Sequence, residues 1–155
     1  MKAIPLLIPI LAGTGSGGGS SDRVIVVLGV AALDTLAPDN TGTQPSSWGA
    51  VIQDTHDAWD PGLGLFQAPA SGLYTFEVGV VWHVLSPSAA CRLERFINGS
   101  NYVTISTTQQ PQAEYSVHDC VWSDYLEAGD TVGFQVYQES GDDQSFFIAH
   151  YVAHS

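Results

Sequence analysis

Residues 59–76 read Trp-Asp-Pro-Gly-Leu-Gly-Leu-Phe-Gln-Ala-Pro-Ala-Ser-Gly-Leu-Tyr-Thr-Phe. A tight turn, a short apolar run, a Pro/Gly corner and the start of a long alternating strand follow one another without a break. From Tyr74 onward, large apolar residues take every second position: Tyr74, Phe76, Val78, Val80, Trp82 and Val84. Thr75, Glu77, Gly79 and His83 stand between them. A period of two over that length is a strand with one face on a core, since a helix would space its apolar residues three and four apart.

The remainder has the same character. Residues 23–30 (RVIVVLGV) are a continuous β-branched run, suited to a strand buried on both faces or lying at a subunit contact. Residues 37–47 are a loop by composition, 48–53 a short strand and 54–64 a polar connection. Residues 91–97 and 100–107 flank Asn98-Gly99, a pair that tolerates positive φ at both central positions of a type I′ hairpin turn. That turn accounts for the formal glycosylation sequon Asn98-Gly99-Ser100. Further strands are expected at 115–126, 131–138 and 146–153, separated by Ala128-Gly129-Asp130 and by an acidic turn at 139–144. No amphipathic helix longer than two turns can be drawn. Short strands with turn signals about every ten residues describe an all-β antiparallel sandwich or barrel.

The 155 residues suit one domain able to bury roughly 70% of its unfolded surface. Sixteen Asp and Glu against four Lys and Arg give a formal charge of −12. The basic residues are Lys2, Arg23, Arg92 and Arg95, too few to build the patch that nucleic acid or an anionic membrane requires. Such an excess of acid speaks first to solubility and second to divalent cations. Cys91 and Cys120 suit one disulfide or two buried thiols, and the sequence leaves both open.

Ahead of the β-rich region, residues 1–12 (MKAIPLLIPILA) are apolar behind a single Lys, and residues 13–21 contain five Gly and three Ser. The second segment is a flexible tether. The first is too short to span a bilayer, which takes about 20 apolar residues. It has two readings: a short signal peptide, or an extended arm that anchors the head by Ile4, Leu6, Leu7, Ile8, Ile10 and Leu11. Pro5 and Pro9 break a helix inside the run and favour the arm. The expected organisation is therefore an arm and tether over 1–21 and a head over 22–155.

The pattern Gly64-x-Phe66-x-Ala68-Pro69-x-x-Gly72-x-Tyr74-x-Phe76 resembles the signature of the complement one-q globular-head family, relatives of tumour necrosis factor. Leu93 with Asn98-Gly99, Leu126 with Gly129-Asp130 and Val132, and Phe147-Ile148-Ala149 resemble further parts of it. Ala149 stands where the family usually has Gly, and the arm and tether stand where the complement proteins carry a collagen-like stalk. The resemblance implies a ten-stranded antiparallel jelly-roll sandwich that assembles as a homotrimer, and it carries no particular ligand with it. The residues support assembly on their own account. Leu73, Gly79 and Val81 make the second face of strand 73–84 too apolar for free solvation, and strand 146–153 is apolar on both phases. Leu73, Val81, His83, Phe147 and Tyr151 are the expected interface residues.

Chemistry is sparse. Asp54, Asp57 and Asp60 form a D-x-x-D-x-x-D loop of hard oxygen ligands that would suit calcium, although without the order of an EF-hand loop. Asp142-Asp143 reads as a solvated turn. His83 at a threefold axis would bind a metal, sense pH or simply be satisfied by its neighbours. There is no G-x-S-x-G elbow, P-loop, dinucleotide fingerprint or helical pair of His ligands. No enzymatic activity and no required cofactor are expected. The expected protein is a homotrimeric structural or binding head on the surface of a larger assembly, a virion bearing it as capsid decoration or fibre knob. The competing expectation is a secreted complement-like or lectin-like module that binds a glycan or protein after loss of a signal peptide.

Overall fold

The computed structural model describes residues 23–31, 35–83, 90–109 and 115–155. The expected arm, with Ile4, Leu6, Leu7, Ile8, Ile10 and Leu11, and the tether lie outside these residues. Eleven strands run through the described chain: β1 (Ile25–Leu28), β2 (Thr35–Ala37), β3 (Val51–Asp54), β4 (Trp59–Asp60), β5 (Leu65–Gln67), β6 (Gly72–His83), β7 (Ala90–Ile97), β8 (Ser100–Gln109), β9 (Tyr115–Leu126), β10 (Thr131–Glu139) and β11 (Gln144–His154). The number passes ten because pieces as short as the two-residue β4 are strands here.

All pairings are antiparallel. One sheet has the order β3-β1-β11-β6-β9, with β2 also on β11, and the other runs β4-β5-β10-β7-β8. The two stack as a jelly-roll sandwich. Its core holds the alternating residues of β6, Tyr74, Phe76, Val78, Val80 and Trp82, against Phe66, Leu93, Val132, Phe134 and Val136 of the second sheet. Fully burying each such side chain stabilises the fold by about 1.5–3 kcal/mol.

β9 begins and ends where the sequence reading places it, whereas β3 starts later than expected and leaves Trp48 outside any strand. Trp48 instead packs edge-on against Trp59 (4.7 Å between centroids), Phe134 (5.1 Å) and Tyr151 (5.7 Å). This indole fixes the identity of Gly64. Its φ is +66°, a left-handed conformation, and a Cβ there would collide with Trp48. The hairpin between β7 and β8 has φ of 52° at Asn98 and 70° at Gly99, as its type I′ turn demands.

Tyr151 requires a correction. β11 is shifted in register against β6 between Ile148 and His150, Ile148 pairing with Val80 and His150 with Gly79, so Ala149 is an extra residue. Such a bulge reverses the alternation. Phe146 and Ile148 point into the core before it; Tyr151 and Ala153 do so after it. Tyr151 is only 2% exposed and belongs to the protomer's own core, where burial pushes its phenol pKa far up. It is not an interface residue, and the apparent two-faced apolarity of β11 arises in part from this phase change.

Both cysteines are buried free thiols, Cys91 on β7 and Cys120 on β9. Burial pushes Cys91 up to about 11 and raises Cys120 as well.

Candidate functional site

The outward face of the β3-β1-β11-β6-β9 sheet is the feature that the interior does not explain. Leu73 (63% exposed), Val117 (62%), Val121 (63%) and Tyr125 (65%) all lie on β6 and β9. Pairing aligns them into rows across the sheet. Leu73 stands beside Tyr125, Phe147 beside Val81 and Val117, and Val27 beside Val152, Glu77 and Val121. The His83 ring meets Phe147 edge-on, centroids 5.5 Å apart. Leu73, Val81, His83 and Phe147 therefore share the face on which they were expected. Val117, Val121 and Tyr125 were missed, although the period of β9 carried the signal: every second residue from Val117 lies on the phase opposite His118, Cys120 and Leu126.

The other sheet turns a different surface outward. Arg92 lies over the Tyr137 ring, 4.1 Å from its centroid, and pairs with Glu139 at 3.1 Å. Gln135 Nε2 donates to Glu94 Oε2 at 2.8 Å. β7 and β10 therefore turn outward charged and polar groups that satisfy one another, while exposed Tyr102 and Val103 lie on the edge strand β8.

At the centre of the apolar face sits a polar group of three side chains. His150 Nε2 lies 3.2 Å from Glu77 Oε1, within ion-pair range but off the line of a hydrogen bond. Gly79 lies beneath: a Cβ there would collide with the His150 ring and come within 2.8 Å of Asp119 Oδ1. The missing side chain lets His150 and Asp119 close over β6 from opposite sides. Nearby, Thr75 and Ser123 share a hydroxyl hydrogen bond of 3.0 Å in the row that includes His154.

Between the sheets, at the side bounded by β8 and β9, Arg95 Nη2 donates to Asp124 Oδ1 at 3.0 Å. The side chains are 16% and 14% exposed. Arg95 also donates to the Asn101 carbonyl at 3.1 Å. Ser106 Oγ and His118 Nε2 are 2.6 Å apart, the spacing of a nucleophile and its base. His118 is 6% exposed, its Nδ1 has no partner, and burial lowers its pKa against the opposing effect of Asp119. The pair ties β8 to β9 between the sheets.

The acidic loop does not form a calcium site. Asp54 accepts hydrogen bonds from the backbone N–H groups of His56, Ala58 and Trp59 at 3.2, 2.9 and 2.9 Å. Asp60 Oδ1 accepts from Gly62 and Leu63 at 2.8 and 3.0 Å. These carboxylates hold their own turns, and Asp57 sits apart at φ 51°. Among the described residues no group of three or more His, Cys, Asp or Glu could hold a metal ion. Asp142 and Asp143 line a shallow depression of about 370 Å³ with Leu36, His83, Gln144 and Ser145.

The motif residues are structural. Phe66 packs on Tyr74 and Phe76 at 5.3 and 5.4 Å between centroids, and Tyr74 Oη donates to the Ala70 carbonyl at 2.6 Å. Pro69 and Gly72 shape the corner into β6. Ala68 and Gly129 link the two corners through hydrogen bonds of 2.8 Å. Asp130 accepts from Asn98 Nδ2 at 2.8 Å and from the Glu127 N–H at 2.9 Å, which together hold its carboxyl below the usual range. Asn98 Oδ1 accepts in turn from Thr131 N at 2.9 Å, so the sequon amide is spent inside the corner.

Neither a protein-family model nor a curated protein matches the chain. Solved structures do. The globular domain of the zebrafish complement 1qA protein superposes with a TM-score of 0.62 at 14% identity, covering 84% of this chain and 94% of that one. Eiger TNF from S. frugiperda gives 0.52 at 10% identity over 85% and 90% of the two chains. Murine APRIL at pH 8.0 gives 0.53 at 13% identity over 82% and 98%. Two sheets in this order, with these neighbours, give the chain the jelly-roll fold of complement 1q globular domains and of tumour necrosis factor-like proteins.

Proposed function

We propose that the chain is a non-enzymatic homotrimeric head, a structural or ligand-binding module displayed on the surface of a larger assembly. The observation that carries this reading is the uncovered apolar face around Leu73, Val117, Val121 and Tyr125. Contiguous apolar patches on a soluble protein mark interaction surfaces, and copies of the same chain are the occupants that the fold favours. The stoichiometry of three rests on the resemblance to the complement one-q heads. The assembly is a virion, with the head as capsid decoration or fibre knob; the apolar run 1–12 and the Gly/Ser tether 13–21 support anchoring by the arm. A glycan or protein ligand would meet the loops, since the sheet face is taken by assembly.

Native mass and the N-terminal residue, measured together on protein from its natural source, test this. A trimer that begins at Met1 supports the anchored head. A trimer that begins beyond residue 12 makes it the secreted binding module instead, and a monomer overturns the reading. Deletion of residues 1–20 is expected to leave the head folded and trimeric by light scattering while abolishing its incorporation into the parent particle. A truncated chain that is unfolded or monomeric would place the arm in the head's own core.

A further inference from the structure

We propose that assembly through this face takes up protons, with His150 as the group that binds them, so that the trimer is tightened by mild acid and loosened by mild alkali. The inference rests on the homotrimer proposed above.

The described part of the face carries charge without any permanent cation. Among the described residues, Arg92 and Arg95 belong to β7 of the other sheet, and Arg23 Nε donates to the Ser155 carbonyl at the end of β11. The groups facing His150 are Glu77 from β6 and Asp119 from β9; β1, on its other side, presents only Ile25 and Val27 outward. His83, His154 and the phenol of Tyr125 are the remaining titratable groups on the described part of the face; the two histidines lie one near each end of the β6–β11 pairing.

Covering the face with a second copy strips water from two carboxylates. An unpaired buried carboxylate costs several kcal/mol, and a nearby cation offsets much of that cost. A protonated His150 between Glu77 and Asp119 is the cation available. Desolvation alone would favour neutral imidazole, but two anions at close range outweigh it, one opposite charge within about 4–6 Å being worth 1–3 pKa units.

The sign follows by linkage. A histidine that holds its proton more tightly in the assembled state stabilises assembly fully in mild acid, and that contribution is lost as the pH rises into mild alkali. Gly79 is part of the device, because a side chain there would push His150 away from the carboxylates.

Sedimentation velocity on the full chain between pH 6.0 and 8.5, at constant ionic strength, reads the effect. The trimer dissociation constant should rise ~30-fold per pH unit above 6.5, an uptake of roughly half a proton per protomer. His150→Gln should flatten the dependence to less than about threefold over the same range. His56→Gln, in the exposed loop after β3, should keep the wild-type slope. Glu77→Gln with Asp119→Asn should strengthen the trimer at pH 8.5 toward its wild-type strength at pH 6.0, a gain that mere loss of packing cannot produce. A pH-independent trimer, an unchanged slope in His150→Gln or no gain in the double variant overturns the proton linkage and leaves the trimer standing. A monomer at every pH overturns the reading beneath it.

Discussion

Asp124→Ala is expected to destabilise the folded head by about 3 kcal/mol, because it strands Arg95 between the sheets without its carboxylate. Arg95 and Asp124 join β7 of one sheet to β9 of the other at 3.0 Å. Arg95 also donates to the Asn101 carbonyl. With both side chains more than four-fifths buried, solvent screens the pair little. Replacing both partners by apolar residues, Arg95→Met with Asp124→Leu, should return stability to within about 1 kcal/mol of wild type, since the desolvation cost of two charges disappears with them. Urea midpoints at one fixed protein concentration measure both effects. A single-variant loss under about 1 kcal/mol would show that the pair spans the sandwich without holding it.

Val117→Glu is expected to leave the protomer folded and to abolish the trimer. Val117 is 62% exposed in the single chain, so the substitution places the new carboxylate in water until a second copy arrives. Its row contains Val81 and Phe147, with no cation to receive it. Desolvating one more carboxylate in each protomer costs several kcal/mol, which corresponds to a factor of about 10³ in the trimer dissociation constant for each protomer. Leu63→Glu is the matched control: it is 65% exposed but lies in the loop before β5, and the native mass should not change. A trimer that survives Val117→Glu would move the contact to another surface.

The sequence made the fold legible where side-chain periodicity is uninterrupted. β6 and β10 each place large apolar residues at every second position, and the Asn98-Gly99 and Gly129-Asp130 corners have turn chemistry that few other residues supply. The site was less legible for three physical reasons. The bulge at Ala149 reverses the phase of β11, and one extra residue leaves no mark in composition, so Tyr151 was placed on the wrong face. Asp54 and Asp60 look like metal ligands until their backbone partners are known, because a turn and a cation ask for the same carboxylate oxygens. The Glu77–His150–Asp119 group joins three strands distant in sequence, and only the pairing register brings them together.

The two buried thiols give this sandwich a clock on each of its layers. Cys91 belongs to the second sheet and Cys120 to the edge strand of the first, and both are held protonated and out of contact with reagents. A thiol-specific label therefore reacts only as fast as the surrounding strands open, and its rate reads the free energy of that opening as amide exchange does. If the sheets part as one cooperative unit, the two sites label in step; if β9 peels from its edge first, Cys120 is modified while Cys91 is still protected. Assembly would slow Cys120 more than Cys91, so the pair records which layer another copy has covered.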